Sequence, residues 1–285
     1  MTFNREVKNE LLEAWQKKDC CKLCQLLGLL LYSTDFSSEA IGLKTDFEKQ
    51  ADLYIKLATK CMNIVPIKTK ISKHYNVYFN KNDIPVILNN FGVENAFKLF
   101  KCDDCRKAFL IGAFIASGVM SSPDKEYRVE FVSKSEDISC LIYRVLYEHS
   151  LNPKMTIKNK KVSVYLKTSE SIEDLLTLMG AVKSSLKLMD MKIIKEVKNN
   201  ANRKTNFETA NLKKSADSSA KHINAIEKIE NAGKFYSLPE DLQKIAIARK
   251  ENLGMSLNEI GLMFGMSRSG IYHRLKKICD IAEKL

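Results

Sequence analysis

Two stretches of the chain repeat one order of hydrophobic patterns, and this repeat limits the fold more than any other feature. In each stretch, helical spacing of apolar residues precedes an alternating strand, a second helix and a strand hairpin. The alternating strands are residues 40–47 and residues 127–133. We therefore predict a mixed α+β domain over residues 1–198, built by internal duplication from halves at 1–101 and 102–198.

The predicted elements of this domain follow from spacing alone. The helices cover 7–15 (ending at Trp15), 23–31, 49–62, 105–118, 136–149 and 171–180. The hairpins pair 66–71 with 76–80 and 154–157 with 162–166, the second turning around Asn159 and Lys160.

The excess of basic over acidic residues is concentrated in the last third of the chain. The 285 residues carry a formal charge of +12, of which +8 lies in residues 181–285. An anionic partner such as nucleic acid or a membrane surface fits this excess. No apolar run is long enough to span a bilayer, and the start at Met1 lacks the pattern of a signal peptide. We therefore expect a cytoplasmic protein without a membrane partner.

A change of composition marks a connector at residues 199–233. Its first part is polar, basic and rich in Asn, which argues against a simple rigid helix there. Helical spacing returns over 216–232, and Gly233 is expected to end that helix. Residues 234–285 then form a separate all-α domain.

Two helix starts in this last domain have the pattern of a capping box. In Ser237 to Glu240 and in Ser256 to Glu259, a Ser is followed three residues later by a Glu, so that each side chain can satisfy a free amide. The first helix is expected to end at Gly254.

The motif at residues 256–283 has the layout of a helix-turn-helix. A short helix carries Gly261, which is small enough to let another helix approach, and Gly265 turns the chain. Ser267 then caps a basic helix whose apolar face is Ile271 and Leu275. In such motifs the second helix enters the major groove of DNA.

Side chains of this helix that point away from its apolar face are the candidate DNA contacts. Arg268 is the first choice for a guanine edge, whereas Arg274 and Lys277 are better placed for phosphates. The candidate residues are Ser267, Arg268, Ser269, Tyr272, His273, Arg274, Lys276 and Lys277, with additional contacts at Arg203, Lys204, Lys213 and Lys214. The alternative is a protein-binding three-helix domain with a solvated basic face.

Eight cysteines include two C-x-x-C pairs, Cys21 with Cys24 and Cys102 with Cys105. Four thiolates could bind zinc, but the two pairs lie much farther apart in sequence than the pairs of one zinc module. Packing of each pair at the start of a helix is the interpretation favoured here, and the zinc alternative stays open. We therefore predict a site with no metal and no cofactor.

The chain has none of the common catalytic motifs. It lacks a metalloprotease H-E-x-x-H, a nucleophile elbow and a phosphate-binding glycine loop. Paired acids such as Asp103 with Asp104 lie at helix starts, where the helix dipole favours them. We therefore predict no catalytic residues and no enzyme.

Several segments resemble the WhiA family of bacterial transcription regulators. They are residues 106–118, 202–211, 238–239, 267–277 and 281–285. The resemblance extends over essentially the full chain. It implies a degenerate homing-endonuclease domain of the LAGLIDADG type, followed by a helix-turn-helix. It also implies roles in cell division, chromosome segregation and, in sporulating relatives, sporulation, with double-stranded DNA as partner and a nucleoid-associated location.

The resemblance also places the helices that would carry a nuclease centre. LAGLIDADG nucleases hold divalent cations with an acidic residue near the end of each of two helices. The matching positions are Ser33 and Ser117, and serine does not replace a carboxylate in such a site. Asp35 lies nearby in sequence. The helices themselves are expected to cross through Gly28, Gly112 and Ala116.

The chain departs from the family pattern at two points, and two other functions stay open. Phe207 stands where relatives are expected to have Cys, and the turn before the last helix is short. One alternative is a divergent homing endonuclease. The other is a sigma-like factor that works with RNA polymerase, since residues 238–241, 256–260 and 267–270 resemble the promoter-reading end of sigma factors. RNA polymerase or another transcription regulator is therefore an expected protein partner.

Overall fold

The chain forms two compact units, and each has its own cluster of buried hydrophobic side chains. The computed structural model describes residues 2–14, 16–159 and 161–285. The units are Met1–Glu196 and Val197–Leu285. Met1, Trp15 and Lys160, which entered the sequence predictions, lie outside the described residues.

The first half of the N-terminal unit contains an antiparallel sheet in the strand order β1-β2-β4-β3. Its strands are β1 (Asp35–Phe36), β2 (Ile41–Thr45), β3 (Ile67–Ile71) and β4 (His74–Tyr78). Its helices are α1 (Phe3–Glu13), α2 (Asp19–Leu31), α3 (Glu48–Met62), α4 (Ile84–Phe91) and α5 (Ala96–Leu99), with a 3₁₀ turn at Val93–Asn95. The two short helices α4 and α5 were not predicted, because they span too few residues to show a period.

The second half repeats this sheet in the order β5-β6-β8-β7. Its strands are β5 (Val119–Met120), β6 (Val129–Ser133), β7 (Lys154–Lys158) and β8 (Lys161–Leu166). Its helices are α6 (Asp103–Ser117), α7 (Glu136–Glu148) and α8 (Ser169–Met179). In each half the second strand of the hairpin, β4 or β8, lies inside the sheet, and the first strand, β3 or β7, lies at its edge. The matching strand orders confirm the predicted duplication.

The first long helix of each half packs against the other through glycine. A Cβ atom on Gly28 would lie 2.2 Å from the Phe109 carbonyl oxygen, and one on Gly112 would lie 2.0 Å from the Gln25 carbonyl oxygen. No side chain fits into either space, so the backbones of α2 and α6 are in direct contact. The contact at Gly28 and Gly112 agrees with the predicted crossing, whereas Ala116 is only half-buried.

The remaining elements are mostly helical. They are α9 (Val182–Asn231), a 3₁₀ turn at Phe235–Ser237, α10 (Glu240–Glu251), α11 (Leu257–Met263) and α12 (Arg268–Glu283). Although α9 has 50 residues, neither it nor any other helix in the described ranges has an apolar stretch that could cross a bilayer.

The continuous helix α9 contradicts the prediction that the Asn-rich segment after residue 199 would not form a simple helix. Between residues 182 and 231 the sequence contains no Gly and no Pro, the two residues that interrupt helices most strongly. Each Asn costs at most about 0.7 kcal/mol of helix stability, which neighbouring Ala, Leu, Glu and Lys offset. Gly233 follows the helix with a positive φ of 68°, as predicted for its end.

Candidate nucleic-acid interface

The hydrophobic core of the C-terminal unit fixes the orientation of α12. Ile271, Leu275 and Ile278 are completely buried, and they pack with Ile260 of α11 and Ile229 of α9. Each fully buried aliphatic side chain stabilises the unit by roughly 1.5–3 kcal/mol. Because these residues recur at helical spacing, they hold one face of α12 against the core and leave the opposite face exposed.

Local hydrogen bonds set the starts of α11 and α12. The Ser256 hydroxyl accepts from the Glu259 amide at 3.3 Å, and the Glu259 carboxylate accepts from the Ser256 amide at 2.6 Å. The bond from the Ser256 amide lowers the pKa of Glu259 below its usual value. Ser267 caps α12 by accepting from the Gly270 amide at 3.2 Å. The predicted capping box at Ser256 and the predicted cap at Ser267 are confirmed.

The turn between α11 and α12 depends on two glycines. Gly265 has a positive φ of 61°, as expected for the turn residue. A Cβ on Gly261 would lie 2.5 Å from the Met266 carbonyl oxygen, while the Met266 amide donates to the Gly261 carbonyl at 2.8 Å. Gly261 therefore makes room for the turn itself. The prediction that it lets another helix approach is wrong.

The capping box predicted from Ser237 to Glu240 is wrong. The Ser237 hydroxyl donates to the Lys234 carbonyl at 2.6 Å inside a 3₁₀ turn, and α10 starts only at Glu240 with Pro239 as its N-cap residue. Pro239 disfavours the helical conformation of Leu238, which is extended with a φ of −69° and a ψ of 152°. Glu240 is therefore the first helical residue rather than the third.

Most of the predicted contact residues form the exposed face of α12. Those that are exposed are Arg268, Ser269, Tyr272, His273, Lys276 and Lys277. They fall into two ridges with i, i+4 spacing, one starting at Arg268 and the other at Ser269. Within the described part of the chain, Arg268, Lys276 and Lys277 have no ion-pair partner. Their charges are therefore available to an anionic ligand.

Arg274 and Ser267 are engaged within the unit. The Arg274 guanidinium donates from Nε to the Asp241 carboxylate at 3.2 Å and from Nη1 to the Gly270 carbonyl at 3.3 Å. It thereby joins α12 to α10, whereas the sequence analysis had assigned it to phosphate contacts. Ser267 is occupied as the cap of α12.

A groove lined by cations lies beside the start of α12. Its lining residues come from α9, α10, α11 and α12, and they include Lys214, Arg249, Asn258 and Arg268 but no carboxylate. Arg249 is 2% exposed, and its Nη1 donates to the Met255 carbonyl. Arg249 and Asn258 were not predicted, because only the packing of the four helices shows that they line one groove with Arg268.

The additional predicted contacts all lie on exposed positions of α9. Arg203, Lys204, Lys213 and Lys214 are exposed. Arg203 and Lys214 are separated by about three helical turns and therefore share a face of α9. Of the four, Lys214 is the one that reaches the groove beside Arg268.

The ends of α2 and α6 in the N-terminal unit carry hydroxyl groups where a LAGLIDADG nuclease would have carboxylates. The Ser33 hydroxyl contacts the carbonyls of Leu30 at 2.6 Å and Asp35 at 2.9 Å. The Ser117 hydroxyl is buried without a partner among the described residues. The Asp35 carboxylate accepts from Lys134 at 3.3 Å. Ser33 and Ser117 line one cavity together with Lys134 and Lys161, and its described lining residues include no carboxylate.

Comparison with known proteins assigns the family. The chain is 32% identical to the "Probable cell division protein WhiA" of Clostridium novyi over 315 aligned positions, which cover 100% of this chain and 98% of the relative. It is 31% identical to the protein of the same name in Caldicellulosiruptor bescii, covering 100% of this chain and 96% of the relative. The chain belongs to the WhiA family. The resemblance seen in the sequence is thus confirmed.

Two regions of the chain match WhiA domain models. Residues 106–198 match the WhiA LAGLIDADG-like domain, and residues 201–282 match the WhiA C-terminal HTH domain. The crystal structure of full-length DUF199/WhiA from T. maritima superposes with a TM-score of 0.56 at 26% identity, covering 100% of this chain and 99% of that chain. The predicted fold class, a LAGLIDADG-like α+β domain followed by an all-α helix-turn-helix domain, is confirmed. α12 and the cationic groove both lie in the region of the WhiA HTH domain.

Proposed function

We propose that this WhiA-family chain binds double-stranded DNA through the exposed face of α12. The observation that carries the proposal is the division of this helix into two faces. One face is completely buried in the core of the unit, and the other presents Arg268, Tyr272 and Lys276 without ion-pair partners in the described residues. A helix held in this way by a preceding glycine turn suits the major groove.

The residues on this face are assigned two roles by their chemistry, recognition of bases and contact with phosphates. Arg268 and Ser269 lie in the first turn of α12, which is the part that approaches base edges in helix-turn-helix complexes. A guanidinium can bond the O6 and N7 atoms of guanine together, which makes Arg268 the main candidate for sequence recognition. Lys276 and Lys277 lie two turns further along and are assigned to backbone phosphates, as are Lys214 and the other cations on α9.

We further propose that DNA binding by this chain regulates transcription and that this regulation contributes to cell division. The relatives from C. novyi and C. bescii are named as probable cell division proteins, and the chain aligns with them over its whole length. Chromosome segregation and sporulation are further processes that we propose this regulation to affect. DNA binding implies a nucleoid-associated location in the cytoplasm.

The N-terminal unit is proposed to have no nuclease activity. Divalent cations that activate water for phosphodiester cleavage need carboxylate ligands, and the two helix ends offer Ser33 and Ser117. Purified protein incubated with supercoiled plasmid and Mg²⁺ is expected to leave the plasmid intact. Nicked or linear product that disappears in an Asp35→Asn variant would overturn this proposal.

RNA polymerase is the protein partner that we propose to test. The basis is the resemblance of residues 238–241, 256–260 and 267–270 to the promoter-reading end of sigma factors. Pull-down with tagged chain after nuclease treatment should retain polymerase if the contact is direct. If nuclease treatment removes polymerase from the pull-down, the chain and polymerase are joined only through DNA.

The DNA contact can be measured on duplexes selected from a randomised pool by the wild-type chain. At fixed salt, Arg268→Ala is expected to weaken binding to a selected duplex about 10-fold to 100-fold, since a bidentate base contact is worth roughly 1–3 kcal/mol. The control Lys284→Ala removes the same charge just beyond the other end of α12 and should change the Kd less than about twofold. Equal losses in both variants would show that α12 contributes only general charge.

A further inference from the structure

Four cysteine side chains from distant parts of the sequence meet in the N-terminal unit. Cys20 and Cys21 lie in the first turn of α2, whereas Cys102 is the N-cap residue of α6 and Cys105 lies in its first turn. The Cys102 Sγ lies 3.7 Å from that of Cys20, 3.6 Å from that of Cys21 and 3.6 Å from that of Cys105. All four sulfur atoms lie within 4.8 Å of one another.

These distances match a tetrahedral zinc site. With Zn–S bonds of about 2.3 Å, tetrahedral geometry places the sulfur atoms about 3.8 Å apart. Three of the sulfur pairs are already within 0.2 Å of that separation. Cys21 and Cys105 are buried, and Cys20 and Cys102 are partly buried. In the described residues, this is the only group of three or more His, Cys, Asp or Glu side chains arranged to hold a metal ion.

The surroundings favour a site with net negative charge. The amino-terminal ends of α2 and α6 meet here, and the partial positive charge of each helix dipole stabilises thiolates. Lys18 pairs with Asp104 at 3.0 Å, and Lys107 pairs with the same carboxylate at 3.3 Å. The acidic group beside the cysteines is thus neutralised by lysines.

The four cysteines that meet in the structure are not the four of the two C-x-x-C pairs. Cys24, the second member of the first pair, lies outside this group of four and donates from its thiol to the Leu99 carbonyl at 3.3 Å. Its place in the cluster is taken by Cys20, which precedes Cys21. A chance packing of thiols at two helix starts would give no reason for four sulfur atoms to converge in this way.

We propose that Cys20, Cys21, Cys102 and Cys105 bind one zinc ion as four thiolates. Such a site is structural, because a zinc ion with four protein ligands has no position left for water or substrate. It joins the start of α2 to the start of α6 and so adds a second link to the helix pair that meets at Gly28 and Gly112. This inference is independent of the proposed DNA contact.

The test uses the full chain purified under reducing conditions without chelator. Mass spectrometry of the metal content is expected to give one zinc ion per chain. Replacement of zinc by Co²⁺ should produce the intense visible bands of tetrahedral cobalt and a thiolate charge-transfer band. The double variant Cys102→Ser, Cys105→Ser should lose both the metal and these bands. The matched control Cys24→Ser alters the neighbouring thiol and should keep both.

A second measurement does not depend on the folding of a variant. Alkylation of the native wild-type chain, mapped by peptide mass spectrometry, should spare Cys20 and Cys102 until a chelator is added, although both are partly exposed. The exposed Cys140 should react at the same rate with or without chelator. The proposal is overturned if the reduced wild-type chain contains no zinc and gives no cobalt bands. It is equally overturned if a folded double variant keeps stoichiometric zinc.

Discussion

Two helix pairs of this chain depend on glycine, but glycine has a different role in each pair. In the N-terminal unit, Gly28 and Gly112 bring the backbones of α2 and α6 together, and most of both helices is buried. In the C-terminal unit, Gly261 admits the turn before α12, and α12 keeps a full face exposed. The first pair therefore acts as a scaffold, whereas the second holds a polar surface in position for a partner.

The largest effect is expected from adding a methyl group to the first pair. In Gly112→Ala the new Cβ would lie 2.0 Å from the Gln25 carbonyl oxygen, which is helix backbone and cannot rotate away. We expect a loss of about 3 kcal/mol in the free energy of unfolding, measured by urea denaturation with hydrogen exchange in peptides of α2 and α6. Gly254→Ala is the control, since its Cβ would meet nothing within 4 Å. Similar losses in both variants would contradict the role of the close contact.

A smaller loss is expected in the second pair. Gly261→Ala would place a Cβ 2.5 Å from the Met266 carbonyl oxygen, so that the turn must shift and α12 must move with it. We expect a loss of about 2 kcal/mol confined to the C-terminal unit, together with weaker DNA binding. Gly270→Ala, where the nearest atom would be 3.5 Å away, should keep or raise stability. Normal DNA affinity in Gly261→Ala would show that the turn does not position α12.

The core of the C-terminal unit should also weaken in mild acid. Burial, followed by the nearby charges of Arg249 and Lys221, lowers the pKa of His222 from 6.5 to about 4. Between these values the unfolded chain binds a proton that the folded chain does not, so stability is complete above pH 6.5 and falls as the pH drops toward 4. Between pH 7 and 5.5 we expect a loss of about 1 kcal/mol, because solvent screens part of the interaction. Hydrogen exchange of the unit measures it, and His222→Gln should abolish the dependence.

The two serines at the scaffold helix ends should differ by a smaller amount. Ser33→Ala removes a hydroxyl that hydrogen-bonds to backbone carbonyls and should lower the free energy of unfolding by about 0.5–1 kcal/mol. Ser117→Ala removes a buried hydroxyl without a partner in the described structure and should leave stability unchanged or slightly higher. Urea denaturation of both variants checks this. An equal loss at Ser117 would mean that its hydroxyl does have a native partner.

Local signals explain what could be predicted from the sequence. Alternating strands, helical periods, the cap at Ser256 and the glycine turn at Gly265 each depend on residues that are close in sequence. The prediction for the segment after residue 199 is wrong because neighbouring helix formers offset the weak helix preference of Asn. The predicted cap at Ser237 is wrong because Pro239 keeps Leu238 out of the helix. The first error concerns whether a segment is helical, and the second concerns where a helix starts.

Contacts between distant segments could not be predicted. The choice of Cys20 over Cys24 follows from how α2 meets α6, which helical spacing does not specify. The pairing of Arg274 with Asp241 likewise needs the packing of α12 on α10. The same is true of Arg249, whose buried position beside Arg268 and Lys214 follows from four helices at once.

The central claim is that α12 is the element that reads DNA, and genome-wide binding tests it most directly. Cells producing the wild-type chain are compared with cells producing an Arg268→Ala, Lys276→Ala double variant at equal protein level. Hydrogen exchange should first show that the double variant keeps its folded C-terminal unit. The account predicts discrete binding sites for the wild type and their loss in the double variant. An unchanged set of sites would contradict it and place DNA recognition elsewhere in the chain.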